Sequence, residues 1–156
     1  MIDAARVGKK TCPPYISIEP IGQLAEIRQL LSACELPTAD ISPSKSLLFF
    51  GSRSDAKLVG VIGLEVYGTV ALLRSLAVDP TYRKHGIGRS LVDFAEAHAA
   101  SVGVESLYLL TTTAATFFSR LGYSPASREE APSFIKNSSQ FSGLCPASSV
   151  FLCKHL

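Results

Sequence analysis

LRSLAVDPTYRKHGIGRSLVDFAEAHA, residues Leu73 to Ala99, sets four basic side chains and two closely spaced glycines where an apolar strand gives way to a helix. Ile87, Leu91, Phe94, Ala95, His98, Ala99 and Val102 recur at three- and four-residue spacing, one face of a helix that Gly103 ends. A helix starting there turns its free N–H groups and the positive end of its dipole toward the loop. Gly86 and Gly88 let an anion approach the backbone, and Arg83, Lys84, His85 and Arg89 supply neutralising charge. A pyrophosphate suits this chemistry; a glycine-rich turn with a solvated basic rim is the other reading. G-x-x-x-x-G-K-[ST] is absent, and G-x-G-x-x-G would need glycine where Leu91 stands.

Working outward, 156 residues with 47% hydrophobic content suit one globular domain with a single core. A formal charge of +2 argues against a nucleic-acid partner or an anionic membrane surface. Cys12, Cys34, Cys145 and Cys153 form no C-x-x-C pair, so no metal site is expected and reduced thiols are. With no apolar leader and no bilayer-length run, a cytoplasmic chain with no membrane partner is expected.

Residues 1–14, ending in Pro13 and Pro14, read as a loose tail before a domain over 15–156. Tyr15 to Ile21 reads as a short strand, and Ile21 to Cys34 carries a helical stripe. SLLFFGS, KLVGVIGLEVY and VALLRSLAV follow as an antiparallel meander, and SLYLLTTT is a buried strand after the Leu73–Ala99 unit. A short helix over Ala114–Leu121 and proline-broken loops feeding one or two closing strands, the last in SSVFLCKHL, complete the order βα, three antiparallel strands, then αβαββ: an α+β domain, a mixed and mostly antiparallel sheet flanked by helices.

The Leu73–Ala99 segment resembles the acetyl-CoA-binding core of the GNAT acetyltransferases, whose (Q/R)-x-x-G-x-(G/A) pattern is met by Arg83, Gly86 and Gly88. LYLLTTTAATFFSRLGY is similar to that family's next strand and helix, so the likeness covers about 50 residues in order. ALLRSLAV, LYLLTTTA and QFSGLCP further resemble N-acetyltransferases associated with arsenic resistance. The resemblance implies an acetyl-CoA cosubstrate, with Leu76, Ala77 and Val78 contacting the pantetheine arm through their backbone and Arg83, Lys84, His85, Gly86, Ile87, Gly88 and Arg89 holding the pyrophosphate. It also implies a splay between the fourth and fifth strands, a small-molecule amine acceptor, amino-acid-like or bearing arsenic or phosphinate, and a homodimer. Phe118 falls where many members carry a tyrosine acid, which predicts an apolar wall beside the pantetheine sulfur. Tyr123 takes a packing position.

Glu65 and Arg74 are the two charges inside otherwise apolar strands. A two-residue turn with Gly68 first pairs Tyr67 with Val70 and Glu65 with Leu72, leaving Arg74 opposite Gly63 and diagonal to Glu65. Two readings stand: a mutual ion pair that allows burial, or Glu65 as catalytic proton acceptor with Arg74 clamping an acceptor carboxylate. Thr112 is a candidate for the acceptor pocket. Cys145 is another, although an unpaired cysteine is more often a buried hydrophobe. A CoA-binding sensor without turnover and a cysteine-based metalloid binder are the rival functions.

Overall fold

The meander falls as its turn chemistry requires. In the computed structural model, which describes residues 17–41, 47–138, 140–144 and 148–156, β2 (Leu47–Ser54), β3 (Lys57–Tyr67) and β4 (Val70–Val78) pair antiparallel in sequence order. Gly68 takes φ +67°, a value cheap for glycine in the first turn position, and Tyr67 faces Val70, Glu65 faces Leu72 and Gly63 faces Arg74.

β1 (Glu19–Pro20) pairs with β2 and precedes α1 (Leu24–Ala33), which is shorter than its apolar stripe. The start of the strand expected from Tyr15, the 1–14 tail, Cys12 and Cys145 lie outside the described residues. α2 (Ile87–Ser101) returns the chain to β5 (Ser106–Thr111), which lies parallel to β4. After α3 (Ala115–Arg120), β6 (Ser124–Pro125) and the single turn α4 (Ser133–Lys136), β7 (Val150–His155) inserts between β5 and β6. The sheet order is β1-β2-β3-β4-β5-β7-β6, antiparallel except at β4–β5. This is the α+β architecture expected, with two closing strands after α3, and α4 is the added element, in a stretch that reads as loop.

Each face of the sheet carries helices. Ile87, Leu91, Val92, Ala95 and Ala99 of α2 pack with Phe118 and Tyr123 on Phe50, Ile62 and Leu64. On α2's side of β3, Gly60 permits a close approach, because a Cβ there would lie 2.7 Å from Ile87 Cγ2. Ile27, Leu30 and Leu31 of α1 pack on Phe49, Val61 and Ala77. A separate apolar group, Leu72, Leu110, Ala131, Ile135 and Phe151, joins α4 to β4, β5 and β7.

β4 is irregular. Val61 pairs with Ala77 but Gly63 pairs with Arg74, so two steps on β3 match three on β4. The extra residue, Ser75, has φ +57°, a bulge conformation that is costly for a side chain with a Cβ. Nothing in RSL distinguishes it from ordinary strand. Beyond the bulge β4 and β5 part: their pairing ends at Leu73–Leu109, although β4 runs on to Val78 and β5 to Thr111.

Candidate active site

One end of the parted strands leads into the glycine loop. After Val78, Asp79 accepts a hydrogen bond from Thr81 N at 2.9 Å and opens a tight helical turn over Pro80–His85. Gly86 then takes φ +75° and α2 begins with no side-chain cap and no acidic residue in its first turn. The first helical bond runs from Ser90 N to Gly86 O, so the N–H groups of Ile87, Gly88 and Arg89 precede the ladder and are available to an anion. Arg89 is exposed there and Gly88 is buried. Arg83 turns inward, its Nε donating to Val78 O at 3.0 Å, which ties the loop to the end of β4. Of Lys84 and His85 the backbone alone is described.

Leu76, Ala77 and Val78 bury their side chains and lie on the part of β4 that has left β5. Backbone contact is therefore the interaction they can offer a pantetheine arm. A diphosphate at α2's first turn and an extended arm along this stretch both fit the residues present.

The other end of the opening carries a buried polar network between two apolar clusters. Arg74 is fully buried, and its Nη1 donates to Glu65 Oε1 at 2.7 Å. Both Nη atoms also donate to Asp40, Nη2 to Oδ1 at 2.7 Å, and Nε donates to Ser75 Oγ at 3.0 Å. Gly63 makes this possible, since a Cβ there would sit 3.0 Å from Arg74 Cγ and from Phe49 Cε1. Tyr67, two residues from Glu65 and so on its face, donates its hydroxyl to Glu65 Oε2 at 2.5 Å.

Asp40 comes from the loop after α1, which Leu36 and Ile41 anchor in the α1 cluster and Arg28 holds by a 2.6 Å bond to Ile41 O. Burial works to raise the Asp40 carboxyl, but the hydrogen bonds and charge of Arg74 prevail and lower it. Burial likewise opposes the charged form of Arg74, and its two carboxylates outweigh that and raise it. Tyr67 is shifted up by burial and by the Glu65 carboxylate, and stays a phenol.

Glu65 and Arg74 thus meet as the diagonal pair expected, but with Asp40 as a third member. The expected Arg74 clamp is not what the side chain forms: the guanidinium is fully buried and engaged by two carboxylates, which leaves it no surface for an acceptor carboxylate. Phe118 is also fully buried, edge-on to Phe117 and Tyr123, and presents no wall to a cofactor; it is core. Thr112 is exposed on the turn after β5, whereas Thr111 is buried and accepts from Ala114 N at 2.9 Å, fixing the entry to α3. Asp40 and Tyr67 were missed from sequence. A loop aspartate carries no signal, but the two-residue spacing of Glu65 and Tyr67 on a strand was readable.

Tyr123 donates to Glu96 Oε2 at 2.8 Å within the α2 core, and burial and the Glu96 charge both push its pKa up, so it stays a neutral phenol. Tyr123→Phe is expected to change kcat by less than about tenfold, the range of a group outside the reacting centre, while lowering the melting temperature through the lost bond. Parallel kinetics and thermal melts check this. Cys34 lies under the end of β4, its Sγ 3.8 Å from Val78 O, and Cys153 lies on β7 opposite Tyr108, so these thiols do not converge. Among the described residues no group of His, Cys, Asp or Glu could hold a metal ion, and no helix is long and apolar enough to cross a membrane.

Comparison with known proteins agrees with this fold. Residues 45–125, about half of the chain, match the model of the acetyltransferase (GNAT) domain. An uncharacterized N-acetyltransferase of Chlorobaculum tepidum is 36% identical over 88 residues, 56% of this chain and 56% of that protein. An amino-acid acetyltransferase of Azotobacter vinelandii is 40% identical over 60 residues, 38% of this chain and 14% of that protein. The chain therefore spans about half or less of these relatives' lengths. The N-acetylglutamate synthase of Neisseria gonorrhoeae, solved with coenzyme A and N-acetyl-glutamate, superposes over 91% of this chain and 35% of its own with a TM-score of 0.74 at 22% identity. A strand pair parted at a bulge, a glycine loop opening a helix and a matching domain model together place this chain in the GNAT acetyltransferase family.

Proposed function

We propose that this chain is an acetyl-CoA-dependent N-acetyltransferase that acetylates the amine of a small amino-acid-like acceptor by direct attack in a ternary complex. The observation that carries this reading is the parting of β4 and β5 at Ser75, with an uncapped helix N-terminus at one end and the Glu65 carboxylate at the other. Likeness to an amino-acid acetyltransferase supports the acceptor class.

Bound acetyl-CoA supplies the electrophilic thioester carbonyl. The α2 first turn holds the diphosphate, the backbone of Leu76, Ala77 and Val78 lines the arm, and N–H groups of the parted β4 offer donors to a developing oxyanion. Glu65 receives the ammonium proton, since only the neutral amine is a nucleophile. Arg74 and Asp40 hold that carboxylate in place rather than touching the acceptor. Two carboxylates against one guanidinium leave the network with a surplus negative charge, which favours an ammonium over an acid at this spot.

Amino acids and their phosphinate- or arsenic-bearing analogues are the acceptors to test, against polyamines as a contrasting class. Release of CoA thiol with any of the first group supports the reading; acetyl-CoA binding without thiol release from any amine overturns it in favour of a sensor. Glu65→Gln should lower kcat on the best acceptor by roughly 10²-fold, the scale of one general base. An unchanged kcat would remove Glu65 from the mechanism.

A further inference from the structure

We propose that Tyr67 is a catalytic residue of this site, the hydroxyl through which the acceptor's ammonium passes its proton to Glu65. This rests on the acetyl-transfer reading above. The Glu65 side chain is only 9% exposed, and both its oxygens are occupied, Oε1 by Arg74 at 2.7 Å and Oε2 by Tyr67 at 2.5 Å. Tyr67 is half-buried where Glu65 is buried, so of the two it is the residue with surface left for an arriving amine. The phenol's hydrogen is committed to Glu65, so its oxygen presents lone pairs, the right partner for an N–H donor.

The hydroxyl is held for this task. Phe134 of α4 stacks on the Tyr67 ring with centroids 5.6 Å apart and planes 4° from parallel. Phe134 is itself 61% exposed, a large apolar ring kept at the surface against the Tyr67 ring. The hydroxyl donates to the Glu65 carboxylate, so the phenolic proton already points at its acceptor. Burial and the Glu65 carboxylate both disfavour ionised Tyr67, so the phenol is the form that acts.

The step balances. One N–H bond of the ammonium breaks as its proton moves to the Tyr67 oxygen, and the original phenolic proton moves to Glu65 Oε2. The freed nitrogen pair forms the C–N bond and the C–S bond breaks with its electrons on sulfur. The second N–H proton ends on the CoA thiol, and Glu65 returns its proton to solvent through the same hydroxyl. No oxidant or further reactant enters.

The test is the pH dependence of kcat/KM for wild type and Tyr67→Phe on the best acceptor, with acetyl-CoA affinity measured by calorimetry. The charged groups facing the hydroxyl are Glu65 on its own strand, Arg74 on β4 and Asp40 from the loop after α1. Tyr67→Phe is expected to lose roughly 10²-fold in kcat/KM below the pKa of the acceptor amine, a loss that shrinks as pH rises and the amine arrives already neutral, with acetyl-CoA affinity unchanged. A loss that is the same at every pH, or kcat/KM within about threefold of wild type throughout, overturns the proposal and leaves Tyr67 as packing. Should the Phe variant fold poorly, difluorotyrosine at position 67 keeps the ring and the bond while making the hydroxyl more acidic. It must then shift the acidic limb of the profile, and an unmoved limb overturns the proposal. If wild type releases no CoA with any amine, the acetyl-transfer reading fails and the Tyr67 proposal with it, an outcome distinct from an active wild type with an indifferent Tyr67 variant.

Discussion

Gly88→Asp is expected to drive acetyl-CoA binding below calorimetric detection. The site proposed for the diphosphate is the first turn of α2, where the N–H groups of Ile87, Gly88 and Arg89 precede the helical ladder and no acidic side chain competes for them. An aspartate in that turn acts twice. Its carboxylate accepts the same N–H groups and takes the place of the ligand anion, and its charge repels what remains of the diphosphate. Each displaced charge-assisted bond is worth about 1.5–3 kcal/mol, so losing two or three costs at least about 10²-fold in affinity. Gly88 is buried, so a thermal melt must accompany the titration. Arg89→Glu provides a second arm at an exposed position of the same turn, with the same direction and a smaller loss. Wild-type affinity in both folded variants would place the cofactor elsewhere.

Arg74→Ala is expected to cost stability before it costs anything else. The side chain is fully buried and neutralises Asp40 and Glu65, which would otherwise face one another inside the protein. Removing one partner of a buried ion pair costs about 3–5 kcal/mol, because the remaining charge has neither water nor a counterion. The effect depends on pH. Asp40 is held below its ordinary value of 3.8, chiefly against burial and by Arg74, so its contribution is complete above that value and is lost as pH falls through the lower folded one. The wild-type advantage over Arg74→Ala should therefore be largest near neutrality and narrow in acid, where the stranded carboxylates of the variant become protonated and neutral. Melting temperatures of both proteins across the acid range check this. A double-mutant cycle with Asp40→Asn should show coupling well above the few tenths of a kcal/mol found for independent sites. Equal melting temperatures would mean that the network carries no net stability, and a selective rise in acceptor KM would restore Arg74 as a substrate contact.

Much of the sheet was legible because its strands obey local rules. Gly68 in the YGTV turn sets the register that brings Gly63 opposite Arg74 and makes Glu65 its diagonal neighbour. The three-and-four spacing of Ile87, Leu91 and Ala95 defines the buried face of α2, and Gly86 and Gly88 mark its start. A second closing strand was expected, but the bounds of β6 and the whole of α4 were not legible: with two and four residues they lack a full period, and their positions are decided by β7 and the Ile135 cluster.

The division between sequence and tertiary structure follows the range of the forces involved. Turn conformation, helical periodicity and the basic glycine loop act over a few residues, so the sequence by itself determined the α+β class, the meander register and the loop that opens α2. The polar network at the proposed acceptor end depends on contacts between residues far apart in the chain. Asp40 reaches Arg74 because Leu36 and Ile41 bury their loop against α1, and its charge is what turns a two-member pair into a three-member network. Ser75 adopts its left-handed conformation because β4 must follow β3 on one side and leave β5 on the other, a demand no local propensity for serine expresses. Tertiary structure alone therefore decided where the strands part and which carboxylates share Arg74.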